Sequence, residues 1–187
     1  EVLRYDLECL TAGDRVLANR IHLRIQGPEK VCIIGKNGAG KTTLLKKIAE
    51  ELLEREELRA AYMPQNYGEL LPGEATPLAF LQVKGDKEEM TRIRTWLGSM
   101  KFTADEMEHP IRELSGGQKA KLFFMKMSLE ENDVLILDEP TRNFSPMSNP
   151  VIRNILADYQ GAILCISHDQ KFIEEVCTKV YRLTGDG

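Results

Sequence analysis

Eight consecutive residues, Gly35-Lys36-Asn37-Gly38-Ala39-Gly40-Lys41-Thr42, fit the pattern G-x-x-x-x-G-K-[ST] and constrain this chain more than any other feature. The flanking residues say what kind of fold carries them. Residues 31–34 (Val-Cys-Ile-Ile) are continuously apolar, as in a strand covered on both faces. Residues 42–53 put Leu44, Leu45, Ile48, Ala49, Leu52 and Leu53 on one helical face. Strand, glycine loop and helix in that order make an anion cradle. The glycines let backbone N–H groups curl around phosphate oxygens, and the positive helix end faces the same charge. Lys41 supplies a cation for the β and γ phosphates, and the Thr42 hydroxyl can ligate Mg²⁺. The predicted phosphate-binding set is Gly35, Lys36, Asn37, Gly38, Ala39, Gly40, Lys41, Thr42 and Thr43. At ~7% glycine usage chance supplies this pattern in well under ~2% of chains this long, so a purely structural turn is the weaker reading.

A second apolar run, Val134-Leu135-Ile136-Leu137, ends in Asp138-Glu139. The ends of parallel strands deliver side chains to the sheet edge where such a glycine loop also lies. There Asp138 is predicted to hold the magnesium shell and Glu139 to take a proton from an attacking water. Alone, a strand closed by two acids is usually structural; together with the glycine loop it becomes specific. A third string, Leu114-Ser115-Gly116-Gly117-Gln118, opens a helix predicted over residues 119–130. In isolation it is an N-cap with two glycines. Yet Ser-Gly-Gly leaves N–H groups free at a positive helix end, a second anion site in a chain that already has one. One domain needs a second cradle only if it serves a nucleotide held by a partner.

The rest of the chain alternates β-rich and helical stretches, which predicts an α/β domain on a largely parallel sheet. Residues 3–10 and 20–25 alternate apolar and polar positions around a turn at Thr11-Ala12-Gly13-Asp14, an antiparallel start. Strands are further expected at 60–63, 162–166 and 179–183, and helices at 150–159 and 170–177. Residues 66–113 change character: Gly68, Pro72, Gly73 and Pro77 break the chain, and polar helical pieces follow at 87–97 and 103–108, a small helical insertion. A length of 187 residues suits one domain. Lys+Arg 25 against Asp+Glu 29 gives net −4, so the whole chain is not a basic nucleic-acid binder. No apolar run approaches the ~18 residues of a membrane span. The four cysteines, Cys9, Cys32, Cys165 and Cys177, show neither CxxC nor zinc spacing and read as buried, reduced thiols of a cytosolic protein.

The motifs occur in the order of an ATP-binding cassette (ABC) ATPase, which the chain resembles over nearly its whole length. They are the glycine loop, Gln65 in Tyr62-Met63-Pro64-Gln65, the Leu114-Ser115-Gly116-Gly117-Gln118 string, Leu137-Asp138-Glu139-Pro140, and His168 in Ile166-Ser167-His168-Asp169. The resemblance implies a P-loop NTPase fold of ABC type, with a mostly parallel sheet, an antiparallel N-terminal β part and a helical subdomain at about 66–118. It implies ATP and Mg²⁺ as cofactors and hydrolysis of the β–γ bond. It also implies a head-to-tail dimer, each ATP lying between the phosphate loop of one cassette and Ser115, Gly116, Gly117 and Gln118 of the other. The catalytic residues become Glu139 as general base, Gln65 as magnesium and water contact, His168 as the γ-phosphate switch, and Lys41; Thr42, Gln65 and Asp138 become the magnesium ligands.

Arg94-Thr95-Trp96-Leu97-Gly98 with Phe102, and Ser167-His168-Asp169-Gln170-Lys171-Phe172, resemble the ABC-F branch, especially its second cassette. That implies a cytoplasmic two-cassette protein acting on the ribosome, some of whose relatives give antibiotic resistance. On this reading residues 1–187, which begin at Glu1, are one cassette excised from a longer chain. The alternative setting is the ATP-binding subunit of a membrane transporter, docked on a transmembrane domain; Gln118, the usual residue there, points that way. The absence of an Asn-Lys-x-Asp string disfavours a GTPase. Two further departures stand out. Arg142-Asn143-Phe144-Ser145 replaces the usual Asn-His-Leu-Asp, and no aromatic stands near Ala12 to stack on adenine, for which Tyr5 is a substitute.

Overall fold

A computed structural model describes residues 3–64, 67–142 and 149–186. Two compact units emerge: residues 1–65, 131–142 and 153–187 in the first, and 66–130 with 143–152 in the second.

The first unit carries both sheets. Strands β1 (Leu3–Ala12) and β2 (Arg15–Ile25) pair antiparallel, with Leu3 opposite Ile25 and Ala12 opposite Arg15. The turn is shorter than the sequence pattern suggests. Thr11 and Ala12 stay in the ladder beyond a register shift at Leu10/Thr11, leaving Gly13-Asp14 as the connection, with Gly13 at φ +60°. Strand β3 (Lys30–Ile34) opens the second sheet and leads through the glycine loop into α1 (Lys41–Glu54). The remaining strands are β4 (Ala60–Met63), β5 (Val134–Asp138), β6 (Ala162–Ile166) and β7 (Lys179–Arg182). Their order is β4-β5-β6-β3-β7, every neighbouring pair parallel. β5 and β6 are buried along their whole lengths, which is why they read as unbroken apolar runs. Leu45, Ile48 and Leu52 of α1 are fully buried in the core shared with Val31 and Ile33 of β3. The register puts the ends of β3, β5 and β6 at one sheet edge, so Gly35, Glu139 and Ser167 begin loops there.

Helices make the second unit: α2 (Pro77–Leu81), α3 (Lys87–Ser99), α4 (Ala104–Glu108) and α5 (Gly116–Leu129). Each begins at a polar cap. The Thr76 side chain accepts from the Ala79 N–H, Asp86 from Glu89, Thr103 from Glu106 and Ser115 from Gln118. Pro77 therefore starts a helix where the sequence pattern suggested a break, since proline is preorganised for the first helical position. Helix α5 likewise starts at Gly116, three residues earlier than expected, because Ser115 caps it. Short 3-10 helices lie at Tyr67–Leu70 and Ile111–Glu113. Helix α6 (Asn149–Ala157) has residues 149–152 in the second unit and 153–157 in the first, which also holds α7 (Gln170–Val176). Among the described residues no helix is long and apolar enough to cross a membrane.

Candidate functional site

In the first unit the C-terminal ends of β3, β5 and β6 surround a cavity of about 750 Å³. Eight of the predicted site residues line it: Asn37, Gly38, Gly40, Lys41, Thr42, Thr43, Glu139 and His168. Gly35, Lys36 and Ala39 line, with Asn37 and Gly38, a second hollow of about 410 Å³ on the other side of the loop, against residues 182–185.

The loop depends on glycine at two close approaches. Gly40 has φ +97°, and a Cβ there would stand 2.8 Å from Leu17 Cδ1. A Cβ on Gly35 would lie 2.9 Å from the Leu183 carbonyl oxygen. Gly40 is also the N-cap of α1; no side chain caps this end and no acid occupies its first turn, so the helix itself does nothing to offset its positive end. Lys41 is 7% exposed, and its ammonium donates to the carbonyls of Gly35 at 2.7 Å and Lys36 at 2.9 Å. These bonds hold the cation at the mouth of its own loop.

Asp138 closes β5 and is 3% exposed. Glu139 follows at φ +52°, a left-handed conformation uncommon for a residue with a Cβ. Its N–H donates to the Ile166 carbonyl at 2.9 Å, tying it to β6. Its Oε1 lies 3.2 Å from Nε2 of His168. Burial pushes the Glu139 carboxyl above its ordinary range, with Asp138 adding to the rise, while His168 and Arg142 pull the other way. A half-buried carboxylate made more basic by its burial, beside a glycine loop, suits proton abstraction.

His168 sits in the turn between β6 and α7, and that turn is braced on both sides. Asp169 caps α7 by accepting from the N–H groups of Lys171 and Phe172, and its other oxygen accepts from the Thr141 hydroxyl at 3.0 Å. The Asp169 N–H donates to Ser167 Oγ. Thr141 and Asp169, both lining the cavity, were not singled out in the sequence. The readable signal for Asp169 was an N-cap acid directly after a buried strand.

Ser115 to Gln118 belong to the second unit. Ser115 caps α5, and Gln118 closes the capping box by accepting from the Ser115 N–H at 3.0 Å. The Gln118 amide also donates to Glu106, so the side chain is occupied within its own unit. A Cβ at Gly116 would meet open space, which leaves the helix tip open. Gln65 and residues 143–145 lie outside the described residues. Tyr5 does not serve as the substitute aromatic: it is 7% exposed, packed in the core beside α1, and absent from the cavity wall. The strand alternation that makes Tyr5 an inward position of β1 also removes it from the loop. Leu17 of β2 and Ile166 of β6 are the apolar side chains in the cavity lining.

A glycine loop leaving a central parallel strand for a helix, beside a strand that ends in two acids, defines a P-loop nucleotide-binding fold. Within that class the chain belongs to the ABC transporter family, which residues 18–142 match. It is similar to ABC transporter F family member 5 of Arabidopsis thaliana, 33% identical over 175 residues, 89% of this chain and 25% of that protein. It is also similar to the ribosome protection protein VmlR of Bacillus subtilis (strain 168), 34% identical over 181 residues, 94% of this chain and 33% of that protein. The chain thus spans a quarter to a third of the length of these relatives. In fold it is similar to the dimeric post-hydrolysis state of the cassette MJ0796 bound to ADP and Pi, with a TM-score of 0.73 at 17% identity, covering 98% of this chain and 95% of that one. The ATP binding subunit of an ABC transporter gives a TM-score of 0.77 at 20% identity, covering 98% and 86%.

Proposed function

We propose that this cassette binds Mg·ATP and hydrolyses it when a second cassette closes over the nucleotide. The observation that carries the reading is the Glu139–His168 pair, 3.2 Å apart on the wall of the cavity that Lys41 and Thr42 also line. The phosphate chain would follow the N–H groups of residues 35–43 to the positive end of α1, with the Lys41 ammonium exchanging its loop carbonyls for phosphate oxygens. Thr42 and Asp138 offer hard oxygens of the kind magnesium takes, with Gln65 as a third ligand; the ion would neutralise charge on the transferring phosphoryl group. Glu139 would accept the proton of the attacking water, and His168 would orient the γ-phosphate and that carboxylate together. This machinery works by positioning and charge.

The open tip of α5 supports a second cassette as partner: Ser115, Gly116 and Gly117 would address a nucleotide held by the partner's loop, as two dimeric MJ0796 structures of similar fold suggest. We place the whole protein among cytoplasmic ABC-F factors that act on the ribosome, in line with its F-family relatives and the ribosome protection protein among them. Gln118, the usual residue of transporter subunits, is outweighed here by the F-family relatives; its side chain serves the α5 cap and Glu106. Sedimentation of the purified chain with and without ATP, alone and with ribosomes, tests both levels. ATP-dependent dimers support the clamp, and ATP-dependent cosedimentation supports the ribosomal role. A chain that stays monomeric at saturating ATP even as the Glu139→Gln variant argues against the clamp.

A further inference from the structure

Three cysteines that are far apart in sequence converge in the first unit. Cys32 of β3 faces Cys165 of β6 across the parallel ladder, and both are fully buried. Cys177, the C-cap of α7, is half-buried. Their Sγ atoms all lie within 4.8 Å of one another, and Cys165 and Cys177 are 4.0 Å apart. Among the described residues no histidine, carboxylate or fourth cysteine joins them.

Ligand number and softness select the guest. Hard cations require oxygen, and structural zinc is closed by four ligands. A purely thiol set of three suits a soft monovalent d¹⁰ ion. A metal lying in the plane of three sulfurs at ~2.3 Å from each needs them about 4.0 Å apart. Cys165 and Cys177 already meet that spacing, and the third sulfur lies within 4.8 Å of both. The Cys32 thiol donates to the Ile33 carbonyl at 3.8 Å and the Cys165 thiol to the Val31 carbonyl at 3.5 Å, so both sulfurs are held by backbone oxygens before any ion binds. Half-buried Cys177 gives a way in.

We propose that Cys32, Cys165 and Cys177 form a three-thiolate site for Cu(I). Each S–H bond is exchanged for a Cu–S bond and its proton goes to solvent, so one ion displaces three protons with no change in oxidation state. The site lies beside the turn that carries His168, since Cys165 stands near the end of β6, three residues before that histidine.

The test is anaerobic titration of the reduced, purified chain with Cu(I) against a chromophoric Cu(I) chelator, with X-ray absorption on the same sample. One copper per chain, surrounded by three sulfurs at ~2.3 Å, is expected. Bound copper should also shield Cys177 from alkylation. Cys177→Ser should weaken binding by at least ~10-fold, and Cys9→Ser, which alters a cysteine outside the cluster, should leave it unchanged. The absorption spectrum is read on the unsubstituted protein, so it holds even if a variant folds poorly. Loss of all copper to the chelator, two-sulfur or oxygen ligation, unaltered binding by Cys177→Ser, or displacement of copper by an equivalent of zinc would each overturn the proposal.

Discussion

Oε1 of Glu139 stands 3.2 Å from Nε2 of His168, although one residue follows β5 and the other follows β6. The strands are neighbours, with Asp138 opposite Ile166, and the Glu139 N–H bonds to the Ile166 carbonyl, so the sheet sets this distance. The Glu139→Gln variant keeps the size of the side chain and a contact to His168 but cannot take a proton. It should bind ATP normally and lose hydrolysis by ~10²–10⁴-fold. Phosphate release under single-turnover conditions measures this, and wild-type turnover would remove Glu139 from its role as base.

Lys41 is nearly buried, with its ammonium on two carbonyls of its own loop. Lys41→Ala removes the cation meant for the outer phosphates and leaves those carbonyls short of a donor. Nucleotide binding should disappear in calorimetry, and the apo protein should lose about 1–3 kcal/mol of stability. Lys41→Arg keeps the charge, yet the planar guanidinium does not fit a pocket shaped for a point charge, so binding should stay weak. Unaltered ATP affinity in Lys41→Ala would separate the loop from the nucleotide.

Much of this was readable in the sequence where one local signal dominates. β4 and β6 span the residues their apolar runs mark, and Ser115 caps its helix as its side chain suggests, whereas Thr103, read as the first helical residue, is a cap. Pro77 misled because the same ring that ends a helix also opens one, and only the Thr76 cap decides between them. Tyr5 misled because a position along a strand says nothing of distance to a loop 30 residues on. Thr141–Asp169 and the three thiols were illegible for one reason. Residues from separate strands meet through sheet order, β6 beside β3 and β5, and spacing along the chain does not encode that order.

Asp169 couples the two acidic-edge loops, capping α7 with one oxygen and holding the Thr141 hydroxyl with the other. Asp169→Ala should cost about 1 kcal/mol through the lost cap. Its larger effect should be on kcat, because the turn bearing His168 loses its brace while the glycine loop is untouched. Thr141→Val isolates the second half of that role: the cap survives, stability changes little, and turnover still falls with ATP affinity retained. Equal losses of affinity and turnover in Thr141→Val would mean that the brace serves binding instead.

Glu89 offers a pH signature in the helical unit. Its carboxylate accepts from the backbone N–H groups of Val83 at 2.6 Å and of Lys84 and Gly85 at 2.7 Å, closing the loop before α3. These bonds, the one from Val83 foremost, hold the Glu89 carboxyl below its ordinary range against the opposing effect of burial. The folded value lies under the unfolded one, so the stabilisation is complete above the usual glutamate range of ~4.3 and disappears as pH falls through the folded value. Glu89→Gln accepts fewer of these bonds at every pH and has no proton to gain. Its melting temperature should lie below wild type at pH 7, and the gap should narrow on acidification as the wild-type carboxylate protonates. Thermal melts at pH 7 and at successively lower pH read both curves; a gap that stays constant down to the acid transition would show that the carboxylate charge contributes nothing there.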